Sequence, residues 1–232
     1  MRVEVKKSYR DQYIGVYNLA KIKVLGEELP IARYLLKKLR DKNTSLSEFR
    51  KAMSNAGKIL AIESSRELMW RQEKVITPLN QEAVELELIN QPLLVGILGA
   101  ALPLMEGFID IYPDAPIGLV AAKRNEIYGS INIDIYYKRL PERYDEIAYL
   151  IDPMLATGKT MDKVIDELYK RGIKKIIIAS VISSKPGINY LLSLYDNLVI
   201  YSLSIDNNLD DNFFIIPGLG DAGDRGLGIE PH

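Results

Sequence analysis

The chain has no cysteine among its 232 residues, and its single histidine, His232, is the last of them. Disulfides, thiol catalysis and zinc–thiolate sites are therefore excluded. Histidine acid–base chemistry is expected to be all but absent too, since a last residue reads as a frayed end rather than a catalyst. No apolar run is long enough to cross a bilayer, and the opening MRVEVKKSYR has no apolar signal core, so a cytoplasmic location is expected. An excess of charge of one sign is missing too. Thirty Lys and Arg stand against 31 Asp and Glu, for a net charge of −1. Bulk electrostatics thus makes no case for a nucleic-acid or membrane partner. There is also no internal repeat and no low-complexity linker.

What is present is ordinary for one α/β domain: 47% hydrophobic and 26% charged residues. Short strand-like pieces (VEV, KIKVL) precede a helix expected over Glu27 to Arg40, with Leu29, Ala32, Leu35, Leu36 and Leu39 on one face. A second helix should start at Thr44 or Ser45, where Ser45 and Glu48 have capping-box spacing. It carries Phe49, Met53, Ile59 and Leu60, with a break expected around Gly57. Residues 70–91 read as irregular strands or an edge hairpin.

From Pro92 the texture changes. The apolar runs LLVGIL, PIGLVAA, IAYLI, KKIIIASVI and NLVIYSLSI alternate with helical patterns at LPLMEGFIDIY, after Gly158 and over 186–195. Continuous apolar strands between helices predict a twisted, mostly parallel sheet flanked by helices. RNEIYGSINIDIYYKRL alternates around Tyr128-Gly129-Ser130 and reads as a β-hairpin arm.

Tyr149–Thr160, YLIDPMLATGKT, runs an apolar strand into an acid, then a small-residue loop, then the amphipathic helix MDKVIDELYKRG. Backbone N–H groups of Gly158, Lys159 and Thr160 open that helix, whose dipole favours an anion at its start. Thr157 and Thr160 add hydroxyl donors, and Asp152 stands where sugar hydroxyls would lie. The arrangement suits a phosphorylated sugar. Gly158-Lys159-Thr160 is not a Walker A loop. That motif needs glycine where Pro153 stands, and proline can neither donate an N–H nor take the glycine-only conformations.

Apolar strand, acid, three residues and T-G-x-T opening a helix is similar to the phosphoribosyltransferase signature. Alone, the pattern also fits Asp152 as a turn residue and Thr157 as a helix cap. The tail decides between them: FIIPGLGDAGDRG (214–226) together with IDPMLATG closely resembles the uracil phosphoribosyltransferase family. The likeness extends more loosely from LRDKNTSLSEFRK to the C-terminus.

The resemblance implies a type I phosphoribosyltransferase fold in one domain over 1–232: an N-terminal helical hood (1–91), an α/β core (92–205) and a base-binding loop and tail (206–232). It implies transfer of ribose 5-phosphate from phosphoribosyl pyrophosphate to uracil. Asp152, Pro153, Met154, Leu155, Ala156, Thr157, Gly158, Lys159 and Thr160 would bind the sugar phosphate. Backbone at Ile215 and at Gly220, Asp221 and Ala222 would read the edge of uracil, a base with alternating donors and acceptors that needs rigid partners. Arg124 would contact pyrophosphate, and Asp221 would face the substrate or its Mg²⁺, an ion held mainly by the substrate. Asp152, Asp221 and Arg124 form the catalytic set. A homodimer or homotetramer and a nucleotide effector are also implied.

Four positions bear on that reading. Ala156 resembles the uracil enzymes, since purine phosphoribosyltransferases tend to place an acid there. Lys159 replaces the family's Gly or Ser, and Phe214 replaces a tyrosine. The largest departure is Gly99, in ILGAA, where the family's I-L-R-A-G loop has an arginine that holds pyrophosphate. Losing such a charge-assisted contact weakens substrate binding by about tenfold to a hundredfold. Lys159, Arg124 and Lys123 are candidates to compensate. The alternatives are a catalytically weakened paralogue acting as a nucleotide-binding regulator, and a phosphoribosyltransferase for another base.

Overall fold

The computed structural model describes residues 21–127 and 130–229, with side-chain surroundings given except at residues 21 and 124–132. The strand-like VEV and the turn residues Tyr128 and Gly129 lie outside the described residues.

Strand β1 (Lys21–Val24) leads into a one-turn helix α1 (Leu25–Glu28), followed by α2 (Pro30–Arg40). A single helix was expected over this stretch. It is divided at Leu29, whose φ of −119° and ψ of 111° are extended, because a residue before proline is pushed out of the helical region. Helix α3 (Leu46–Ser64) has the expected capping box, the Ser45 side chain accepting from the Glu48 N–H and the Glu48 carboxylate from the Ser45 N–H.

No break occurs at Gly57. A Cβ there would collide with the Leu104 carbonyl of α4 (Leu102–Ile111). The glycine serves close helix packing, not a turn.

Between α3 and the core, β2 (Trp70–Ile76) and β3 (Glu82–Leu88) pair antiparallel as a hairpin. Then come β4 (Leu93–Leu98), α4, β5 (Ile117–Ile127), β6 (Ser130–Arg139), β7 (Ile147–Ile151), β8 (Met154–Leu155) and α5 (Lys159–Tyr169). The chain continues through β9 (Lys175–Ser184), α6 (Lys185–Leu194), β10 (Val199–Asp206), the paired β11 (Asn208–Leu209) and β12 (Ile215–Ile216), and α7 (Ala222–Leu227).

The described sheet has order β1-β10-β9-β7-β4-β5-β6, with β8 added beside β9. All its pairings are parallel except β5 with β6, the antiparallel arm expected from the sequence. Strand alternation divides the interior into two cores. Tyr149, Ile151, Ile177, Ala179 and Tyr201 pack with α2, α3 and α4 on one face. Ala148, Leu150, Ile176, Ile178 and Ile200 pack with α5 and α6 on the other. Burial on both faces explains the continuous apolar runs. It also fixes register, since a slip of one residue would exchange the two cores.

The tail reads as a loop in sequence but contains α7. Asp221 caps this short helix by accepting the Asp224 N–H at 2.9 Å. Among the described residues no helix is long and apolar enough to cross a membrane.

Candidate active site

The site forms at the carboxyl ends of the parallel strands, where α/β sheets hold their ligands. After β7 the chain is tied down at once. The Asp152 N–H bonds the Ala179 carbonyl at 3.2 Å, and the Pro153 carbonyl accepts from Val181 and Ile182, each at 3.0 Å. Met154 and Leu155 then pair with Ile182 and Ser183 of β9. Asp152 Oδ1 turns back to accept the Met154 N–H at 3.1 Å. Ser184, the N-cap of α6, donates its hydroxyl to the Ala156 carbonyl and accepts the Gly187 N–H at 2.9 Å. Gly158, at φ 78°, reverses the chain so that α5 begins at Lys159.

The tail reaches the same place from β12 and the turn before it. Asp210 builds that turn, its carboxylate accepting the N–H groups of Asn212 at 2.9 Å and Phe214 at 2.8 Å. Phe213 there has a φ of 65°. The peptide bonds Leu98–Gly99 and Ile216–Pro217 are cis.

These segments enclose one cleft of about 430 Å³. Asp152, Met154, Leu155, Ala156, Thr157, Gly158 and Thr160 line it, as do Ile215, Gly220, Asp221 and Ala222. The turn ending at Thr160 and the glycine loop therefore share a cavity. Pro153 and Lys159 do not line it, although Lys159 opens α5 beside it. The Arg124 backbone belongs to β5, paired with Ile133, but its side chain lies outside those described. Sequence reasoning did not single out Asn212, Phe213, Ala100 or Ala122, which also line the cleft. The positive φ of Phe213 has no signature in a phenylalanine.

Burial raises the Asp152 carboxyl to about 7; the Met154 N–H opposes that shift and the charge of Asp221 adds to it. None of the described residues lining the cleft is a lysine or arginine, and Gly99 is among them. The cavity thus presents two carboxylates, two threonine hydroxyls and a helix N-terminus. Among the described residues no group of three or more His, Cys, Asp or Glu is placed to hold a metal by itself. Two hard oxygen donors suit an ion that keeps most of its ligands from substrate and water, as Mg²⁺ does.

A mostly parallel sheet with an acid-led turn opening a helix at its strand ends is the arrangement of the phosphoribosyltransferase class. Residues 27–228 match the family model described as uracil phosphoribosyltransferase. The chain is 50% identical, over 213 residues, to the uracil phosphoribosyltransferase of Aeropyrum pernix, covering 92% of this chain and 100% of that one. It is 42% identical over 198 residues to that of Pyrobaculum arsenaticum, covering 84% and 93%. A solved structure from Aquifex aeolicus superposes with a TM-score of 0.83 at 30% identity, over 91% of this chain and 100% of the other. The chain belongs to the uracil phosphoribosyltransferase family.

Proposed function

We propose that the cleft transfers the phosphoribosyl group of phosphoribosyl pyrophosphate to N1 of uracil, giving UMP and pyrophosphate. The observation that carries this reading is the meeting of the phosphate turn and the glycine loop in one cavity, with Asp152 and Asp221 both lining it.

In this reading the N–H groups of Gly158 to Thr160 and the Thr157 and Thr160 hydroxyls hold the 5′-phosphate, helped by the α5 dipole. Asp152 accepts hydrogen bonds from the ribose hydroxyls. Backbone at Ile215 and at Gly220 to Ala222 pairs with the edge of the base and turns N1 toward the anomeric carbon. The C1′–oxygen bond to pyrophosphate breaks with its electron pair leaving on pyrophosphate, the N1–C1′ bond forms, and the N1 proton is released. The sugar is oxocarbenium-like in between, so the protein positions reactants and stabilises charge without a protein nucleophile. That agrees with a chain lacking cysteine and internal histidine. Asp152 and Asp221 are the residues that would hold Mg²⁺, which supplies neutralisation of the departing pyrophosphate. Arg124, at the base of the arm, is the proposed pyrophosphate contact from β5. The arm would close over the site and exclude water, which would otherwise hydrolyse the activated sugar.

The test is UMP formation from uracil and phosphoribosyl pyrophosphate with Mg²⁺. No product at high enzyme concentration would overturn the enzymatic reading. One observation favours a second reading, a nucleotide-binding regulator: no described cation lines a cleft meant for a polyanion. That reading predicts UMP binding by calorimetry without turnover. Comparing uracil with other bases separates a third reading, transfer to a different base.

A further inference from the structure

The glycine loop is gripped from the helical layer and the end of β10. Arg40, the last residue of α2, sends Nη1 to Asp206 Oδ2 at 2.8 Å and to the Gly218 carbonyl at 2.7 Å. Its Nη2 reaches Asp206 Oδ1 at 2.7 Å and Ser204 Oγ at 3.0 Å. Asp206 Oδ2 also accepts the Gly218 N–H at 2.9 Å. One ion pair therefore takes both backbone polar groups of a single glycine. The next carbonyl, Leu219, accepts from Arg225 Nη1 at 2.7 Å, and that guanidinium also binds the carbonyls of Leu39 and Asp41 at the end of α2. Neither Arg40 nor Asp206 lines the cleft.

We infer that Arg40 and Asp206 are positioning residues for base recognition, fixing through Gly218 the backbone that ends at Gly220–Ala222. The inference rests on the reading of that segment as the one that contacts uracil.

The physical case has three parts. First, the loop contains left-handed glycines at Gly218 (φ 58°) and Gly220 (φ 78°), so its own backbone does not select one conformation. Second, a base read by backbone groups tolerates misplacement of only about 0.5 Å, so the loop must be fixed from outside. Third, a partly buried ion pair adds only modest stability, because desolvation cancels much of the attraction between the charges. Apolar side chains would pack there as well, but could not hold an N–H and a carbonyl at once. Asp206 is only 6% exposed and Arg40 25%, with the guanidinium bonded along both edges. The arrangement is what a rigid backbone clamp requires.

The experiment measures KM for uracil and for phosphoribosyl pyrophosphate separately in Arg40→Lys and Asp206→Asn. Lysine keeps the charge but loses the fork; asparagine keeps an acceptor for the Gly218 N–H but loses the charge. The expected result is a rise of about tenfold or more in KM for uracil, with KM for the sugar diphosphate changed less than about threefold. Glu67→Gln is the control. Glu67 pairs with Lys175 at 2.8 Å and accepts from Tyr201 at 3.0 Å, outside the cleft lining. It should lower Tm without moving KM for uracil. Should either main variant fail to fold, Ser204→Ala, which removes one bond to each member of the pair, should raise KM for uracil about threefold.

Parallel rises in both KM values, or an unchanged KM for uracil in folded variants, would overturn the inference while leaving the functional reading intact. If the wild type binds UMP but does not turn over, the same split is read by calorimetry with UMP and phosphoribosyl pyrophosphate as probes. A wild type that neither makes nor binds UMP overturns the functional reading, and this inference with it.

Discussion

Asp152, directly after β7, and Asp221, the N-cap of α7, line the same cleft, and the charge of Asp221 reinforces burial in raising the Asp152 carboxyl to about 7. The folded protein therefore keeps a proton on Asp152 between its ordinary value of 3.8 and about 7, where the unfolded chain releases it. Stability from this group is fully present below about pH 4, falls as pH rises through 7, and is flat beyond. Asp152→Asn carries no charge at any pH. It should raise Tm by about 5 °C at pH 8 and by much less at pH 4.5, corresponding to about 2 kcal/mol. Thermal melts at the two pH values check this, and an equal difference at both would contradict it.

The same titration should appear in ligand binding with the opposite sign. In the role proposed for Asp152, only the ionised carboxylate would accept fully from two ribose hydroxyls or face a cation, so protonation would compete with substrate. Affinity for phosphoribosyl pyrophosphate should fall about fivefold or more between pH 7.5 and 5.5 in the wild type. Asp152→Asn should bind more weakly at all pH values and lose this slope. Calorimetry with Mg²⁺ present would show it.

Much of the fold could be read from residues because burial leaves a pattern. Strands β4, β7, β9 and β10 are covered on both faces and appear as apolar runs; the helices between them show one apolar face. The hairpin of β2 and β3 was indistinct for the opposite reason. Its burial is nearly uniform exposure, so backbone pairing sets it with little periodic signal. Gly57 and α7 misled through composition: one glycine is a packing contact and the glycine-dense tail still winds a turn of helix on the Asp221 cap. At the site, a local string forms the turn from Asp152 to Thr160, whereas Arg40 and Asp206 are 166 residues apart and meet only through the tertiary fold.

Gly158 tests the proposed phosphate turn. Its φ of 78° costs an L-residue about 1 kcal/mol, and an added Cβ would stand 2.9 Å from the Gly187 carbonyl and 3.0 Å from the Tyr190 ring. Gly158→Ala must shift the turn off α6 and re-aim the N–H groups that follow. A stability loss of about 2 kcal/mol and a rise of at least about tenfold in KM for phosphoribosyl pyrophosphate are expected. KM for uracil should change much less. Denaturant unfolding and steady-state kinetics check the two halves, and a selective rise for uracil would contradict the assignment.

Gly99 sets how well the cleft should hold pyrophosphate. The cleft it lines has two carboxylates and no described lysine or arginine, so a cation placed there would meet an uncompensated field. The backbone permits it: Gly99 is not among the glycines with positive φ. A Cβ there would meet only Leu227 Cδ1 at 3.0 Å, the end of a side chain that can swing aside. Gly99→Arg should therefore fold. Its charge-assisted contacts with pyrophosphate should be worth about 1.5–3 kcal/mol, lowering KM for phosphoribosyl pyrophosphate about tenfold to a hundredfold. Adding Leu227→Ala should deepen the effect by removing the one close contact. The new guanidinium also faces Asp152 and Asp221, so it should favour ionised Asp152 and flatten the decline of Tm between pH 4.5 and 8. That second readout needs no turnover. If the pH dependence flattens while UMP formation does not rise above that of the wild type, the cation has reached the cleft without adding to the chemistry; if both change together, the missing arginine is what limits turnover in this chain.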